Sequence, residues 1–188
     1  MDAFSYLSVL LSIILGLAVT QILQGYRALL FARGRVRHSA TVLIWSGLLL
    51  VFVAQAWWAS FGLRDHTEWS FVTFLVILVQ MGLLYMGAAL VFPDIPSSGN
   101  VDLGEHFERH RGVFFGFLLA MLAASLLKSI ALDGRLPVRT DLLFHLVLGA
   151  IGVVGIFIRN ARIQLLFACA TAGLFVTYVA ILFARLTT

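Results

Sequence analysis

The chain has 188 residues, 61% of them hydrophobic and only 12% charged, with a mean hydropathy of +1.01. A water-soluble core of this size cannot hide so much apolar surface, so the expected fold class is all-α: a polytopic integral membrane protein folded as a compact six-helix transmembrane bundle. The net charge of +4 follows from basic residues at helix ends, which suits anionic lipid headgroups as partners and sets nucleic acid aside; the single cysteine, Cys169, excludes an internal disulfide framework and a zinc or iron-sulfur cluster.

The first apolar stretch, 6–30, would extend about 37 Å as a helix, enough to cross a hydrocarbon core of about 30 Å with some tilt. It follows Asp2 rather than a basic segment and is longer than a signal h-region, so it is expected to remain as a mature helix. Ser12, Gly16, Thr20 and Gln24 fall four apart along one side, with Gln21 and Gly25 beside them. This spacing predicts a small, polar stripe turned toward partner helices and apolar faces turned toward lipid. A basic connection follows, with Arg33, Arg35, Arg37 and His38 around Gly34, where a tight turn is expected.

The second span, 41–61, carries Trp45 and Gln55 and ends near Trp57 and Trp58, which fit an aromatic belt at a membrane interface. The third, 69–92, begins at Trp69 and places Gln80 near its middle; Pro93 and Pro96 then end it in an irregular connection. Residues 102–111 are the most polar stretch and read as an interfacial helical entry to the fourth span, 112–132. There Gly112, Gly116, Ala120, Ala124 and Lys128 form a second small-residue groove, ending in a cation. Thr140 or Asp141 could cap the fifth span, 142–158, in which Gly149, Gly152 and Gly155 are thin places where a neighbour could approach. In the last span, 163–183, Cys169, Gly173 and Thr177 share a face.

Six spans put both termini on one side. Connections after the odd-numbered helices hold eight basic residues (Arg27, Arg33, Arg35, Arg37, Arg109, Arg111, Arg159, Arg162), against Arg64, Lys128, Arg135, Arg139 and Arg185 on the other side. For a bacterial inner membrane, the expected location, the positive-inside rule then favours cytoplasmic odd-numbered connections and both termini outside. An inverted repeat of two three-helix halves is topologically allowed, but the helices do not align beyond the stripes of the first and fourth.

An amide at the bilayer centre needs partners, so Gln21 and Gln80 should face the bundle interior, and with Gln24 and Thr20 they are candidates for a polar pathway. Lys128 and His145 could meet across the turn 133–141 as a proton or anion site, although Lys128 could instead snorkel to headgroups. His106 and His110 stand at i,i+4 with Glu105 adjacent, a weak candidate metal site that Arg109 and Arg111 oppose. Haem is disfavoured because paired histidines are not found deep in separate spans, and no cofactor is expected. No serine-histidine-acid arrangement is legible, which disfavours an enzyme; nor is an autonomous ATP-driven pump expected. The functional expectation is a small channel or passive small-solute or ion transporter. The rival is a non-catalytic assembly, sensory or accessory subunit acting through helix contacts, as a homo-oligomer or with a membrane-protein partner.

Overall fold

The computed structural model describes residues 3–32, 34–66, 68–96 and 99–182. Expectations involving Asp2, Arg33, Arg185 and the last residue of the sixth span fall outside the described residues. Six helices carry the fold: α1 (Ala3–Phe31), α2 (Ala40–Ser60), α3 (Phe71–Leu90), α4 (Leu103–Asp133), α5 (Arg139–Phe157) and α6 (Ala161–Leu182). All six are long and apolar enough to cross a membrane. At 31 residues, α4 spans about 46 Å, because the polar segment before Gly112 continues the helix without a break.

The helix ends are specified by local chemistry. Gly34 adopts a φ of 83° in the turn after α1, as the sequence suggests. Ser70 caps α3 through the Thr73 amide (3.1 Å), and the Asp102 carboxylate caps α4 through the amides of Gly104 (2.8 Å) and Glu105 (3.1 Å). Asn160 does the same for α6. In α5 the cap differs from expectation: the helix starts after Val138, which offers no side-chain cap, and Asp141 lies within the first turn. Two short strands, β1 (Val36–Arg37) and β2 (Val101–Asp102), pair in parallel between the connections that follow α1 and α3. An Arg37–Asp102 ion pair of 3.2 Å extends that tie.

Packing closes the helices into a ring in the order α1, α3, α4, α5, α6, α2, with α2 leaning inward against α3 and α4. At the closest α4–α5 approach, Phe115 and Leu119 of α4 seat on Gly155 and Gly152. A Cβ on Gly155 would lie 2.6 Å from the Phe115 ring, and one on Gly152 2.9 Å from Leu119. Two of the three expected thin places are therefore used; nothing lies within 4 Å of the Cβ position at Gly149.

The small-residue stripe of α1 faces outward, the reverse of expectation, and that of α4 is split. The α1 core face is Leu7, Leu11, Leu15, Ala18, Ile22 and Leu29, whereas Ser12, Gly16, Thr20 and Gln24 are exposed. Gly112 and Ala120 of α4 point outward too, but Ala124 is buried and Gly116 and Lys128 are half-buried; Cys169, Gly173 and Thr177 of α6 share an exposed face. The cause is packing: large Leu, Ile and Phe side chains fill the interhelical space and make more dispersion contacts than small ones, so the rows they occupy turn inward.

Candidate functional site

The Thr73 hydroxyl of α3 donates to the Ala131 carbonyl of α4 (3.3 Å), and at the opposite end His106 of α4 lies 3.0 Å from the Leu90 carbonyl of α3. Both contacts tie α3 antiparallel to α4. Gln80 stands on α3 and Ser125 on α4.

Both line a cavity of about 100 Å³ walled by α2, α3, α4, α5 and α6; α1 contributes nothing to it. Its polar lining is Gln55, Gln80, Ser125, His145, Thr171 and Tyr178, and its apolar wall includes Leu118, Leu122, Phe144 and Leu148. At its end toward the connections after α1 and α3 stands Trp45, whose ring packs edge-on against Phe114 (5.2 Å) and Phe115 (5.5 Å). Phe107 completes that aromatic cluster.

The cavity carries an unusual share of polar atoms without protein partners. Trp45 Nε1, Gln80 Oε1 and Thr171 Oγ1 are buried and make no hydrogen bond within the protein. Leaving one buried polar group unbonded costs about 1–3 kcal/mol, and these three belong to residues lining a single cavity.

On the opposite side, toward the turn 134–138, His145 Nδ1 lies 2.8 Å from the Asp141 backbone carbonyl. A carbonyl only accepts, so this nitrogen carries the ring proton, and Nε2, 3.1 Å from Ser125 Oγ, accepts from the serine hydroxyl. Asp141 Oδ1 lies 3.2 Å from Nδ1 but at an angle that makes no hydrogen bond, while the carboxylate also engages the Tyr178 hydroxyl. The structure therefore contains a serine-histidine-acid array, which the sequence reading did not find. Its members are on α4 and α5, twenty residues apart, so local sequence offered only the Asp141 to His145 spacing as a signal. Lys128, half-buried on α4, interacts electrostatically with Asp141. The expected meeting of Lys128 and His145 is thus replaced by a shared carboxylate neighbour, with Ser125 as the direct partner of His145.

The other sequence candidates lie outside this cavity. Gln21 Nε2 donates to Tyr85 Oη at 3.4 Å, joining α1 to α3. Thr20 donates to the Gly16 carbonyl on the outer face, and Gln24 is exposed. Of the four proposed pathway residues, only Gln80 reaches the cavity, so the structure does not bring Gln21, Gln24 and Gln80 together. At the other end of the bundle, His106 is engaged with the Leu90 carbonyl, His110 Nδ1 with the His106 carbonyl (2.9 Å), and Glu105 with Arg109 (2.8 Å). Among the described residues, no three His, Cys, Asp or Glu side chains gather as a metal-binding group.

Two buried polar side chains that sequence reasoning missed hold the end of α5. Arg111 donates from Nε (3.2 Å) and Nη2 (3.1 Å) to the Ile156 carbonyl and pairs with Glu108. Gln164 donates to the carbonyls of Gly155 (2.9 Å) and Ile158 (2.6 Å). Together they satisfy carbonyls that a helix C-terminus leaves open, and the guanidinium also complements the helix dipole. No protein-family model, curated protein or solved structure matches this chain.

Proposed function

We propose that the chain is an integral membrane protein that binds a small, polar solute in the cavity walled by α2 to α6 and passes it across the bilayer as a passive transporter. The observation that carries this reading is the set of unpartnered polar atoms on Trp45, Gln80 and Thr171 around one cavity. These atoms have almost no open surface, so a polar occupant supplies their hydrogen bonds once small side-chain rotations turn them into the cavity; amides, hydroxyls and an indole N–H suit a neutral solute with both donors and acceptors. The cluster of Trp45, Phe107, Phe114 and Phe115 closes one end, so passage requires these rings to move. That makes the device a gated carrier rather than an open pore. The pathway follows Gln55, Gln80, Ser125 and His145, and the Arg distribution supports an orientation with the odd-numbered connections inside.

A second reading, that of an assembly or accessory subunit, is favoured by the exposed stripe Ser12, Gly16, Thr20 and Gln24 on α1. Small side chains let another helix approach closely, and the Gln24 amide gains a partner there. The two readings combine if α1, which takes no part in the cavity, serves as the oligomer contact.

The test is shrink-swell light scattering of liposomes containing the purified chain, challenged with glycerol, urea, acetamide and small polyols. At least one solute should cross ten-fold faster than in protein-free liposomes, and Gln80→Leu should slow it. Rates equal to protein-free liposomes for every solute, with the chain folded, would overturn the transport reading and leave the assembly reading.

A further inference from the structure

We propose that Ser125 is a nucleophile activated by His145, and that the cavity hosts acyl transfer from a small carboxylic ester to the Ser125 hydroxyl. The inference uses the same cavity as the transport reading but requires only that an ester reach it. Nucleophile and base must lie within hydrogen-bond reach, and a third group must orient the base. Here Ser125 Oγ stands 3.1 Å from Nε2, and the opposite ring nitrogen is held 2.8 Å from the Asp141 carbonyl. That anchoring fixes the tautomer whose Nε2 can take a proton. The Asp141 carboxylate, 3.2 Å from Nδ1, stabilises the imidazolium that then forms. Gln80, on the neighbouring helix, lines the same cavity as Ser125. Its carboxamide Oε1 is buried and unbonded in the protein, and the same carboxamide carries the N–H that would meet the developing oxyanion. Leu118, Leu122 and Leu148 form an apolar wall against which a short acyl chain fits.

In the reaction, Oγ attacks the ester carbonyl carbon while its proton passes to Nε2, giving a tetrahedral oxyanion. The carbon–oxygen bond to the alcohol then breaks, the alcohol leaves with the proton from Nε2, and Ser125 carries the acyl group. A water molecule, deprotonated by His145, attacks that acyl ester in the same way. The carboxylic acid is released and the serine hydroxyl restored, without any change of oxidation state.

The test uses the full-length chain in detergent micelles and an alkyl fluorophosphonate, which forms a stable phosphonyl ester on an activated serine with loss of fluoride. Peptide mapping of the wild-type protein should place the adduct on Ser125, and His145→Gln should slow its formation by 100-fold or more. Because mapping reads the wild-type chain, the result does not depend on a variant folding. Ser125→Cys, which keeps the size of the side chain, should abolish labelling while unfolding at the wild-type temperature. Absence of an adduct on Ser125 in folded protein would overturn the proposal, as would labelling at an unchanged rate in His145→Gln. Solute flux without labelling would refute the chemistry and leave the transport reading intact; labelling without flux would do the reverse.

Discussion

Replacing Thr171 by valine separates an occupied cavity from an empty one by the sign of its effect on stability. The residue is 3% exposed and its hydroxyl makes no hydrogen bond in the protein. By contrast, Thr20 and Thr177 each donate to the carbonyl four residues back. If the cavity were dry, wild type would carry an unsatisfied hydroxyl at a cost of about 1–3 kcal/mol, and valine would relieve it. If water or solute bonds the hydroxyl, valine forfeits a hydrogen bond worth about 0.5–1.5 kcal/mol. The two side chains are nearly equal in volume, so the packing contribution is small. The account predicts a loss of about 1 kcal/mol, roughly five-fold in the folding equilibrium. Reversible unfolding in mixed micelles titrated with a denaturing detergent reads this difference, with Thr177→Val as the exposed control expected to change little. A gain in stability for Thr171→Val would refute the occupied cavity.

Gly155→Leu should destabilise the chain by about 1–3 kcal/mol because its side chain meets the Phe115 ring, whereas Gly149→Ala, with open space, should be neutral or slightly stabilising; the same unfolding assay compares them. Arg111→Met should cost about 3 kcal/mol, since it leaves Glu108 without its buried partner and the Ile156 carbonyl without its donor. Hydrogen exchange should then rise at the C-terminal turn of α5. On the outer surface, Gly16→Leu should leave stability within about 0.5 kcal/mol but reduce the oligomeric fraction measured by light scattering in micelles. An unchanged oligomer distribution would remove α1 from the contact.

The six helices were legible because apolar runs of membrane-crossing length, separated by charges, Pro and Gly, have few other solutions. Which face of each helix turns inward was not. In a soluble protein the polar side of a helix marks solvent, but lipid is as apolar as Leu, so a row of Leu fits both lipid and core. In α1, the row Leu7, Leu11, Leu15 and the row Ser12, Gly16, Thr20 carry the same helical period, and the choice between them was decided by interlocking with α2 and α3. Gln80 was readable as an interior amide because it sits mid-span, while Gln164, in the first turn of α6, carries no such signal. Pairing Ser125 with His145 depended on the α4–α5 register, which no local spacing reveals. The β1–β2 bridge was equally hidden, since two residues from each of two connections carry no periodic signal.

Radiolytic hydroxyl-radical footprinting in a lipid nanodisc tests the occupied cavity most directly, because bound water generates the radical that oxidises its neighbours. Met81 is 4% exposed and lines the cavity, as do Met121 and Tyr178; Phe107 is equally buried at 4% and lies outside it. The account predicts prompt oxidation of Met81, Met121 and Tyr178, beyond the intrinsic reactivity of their side chains, and protection of Phe107. Cavity side chains protected from oxidation to the same degree as Phe107 would mean a dry interior and contradict the solute-binding site.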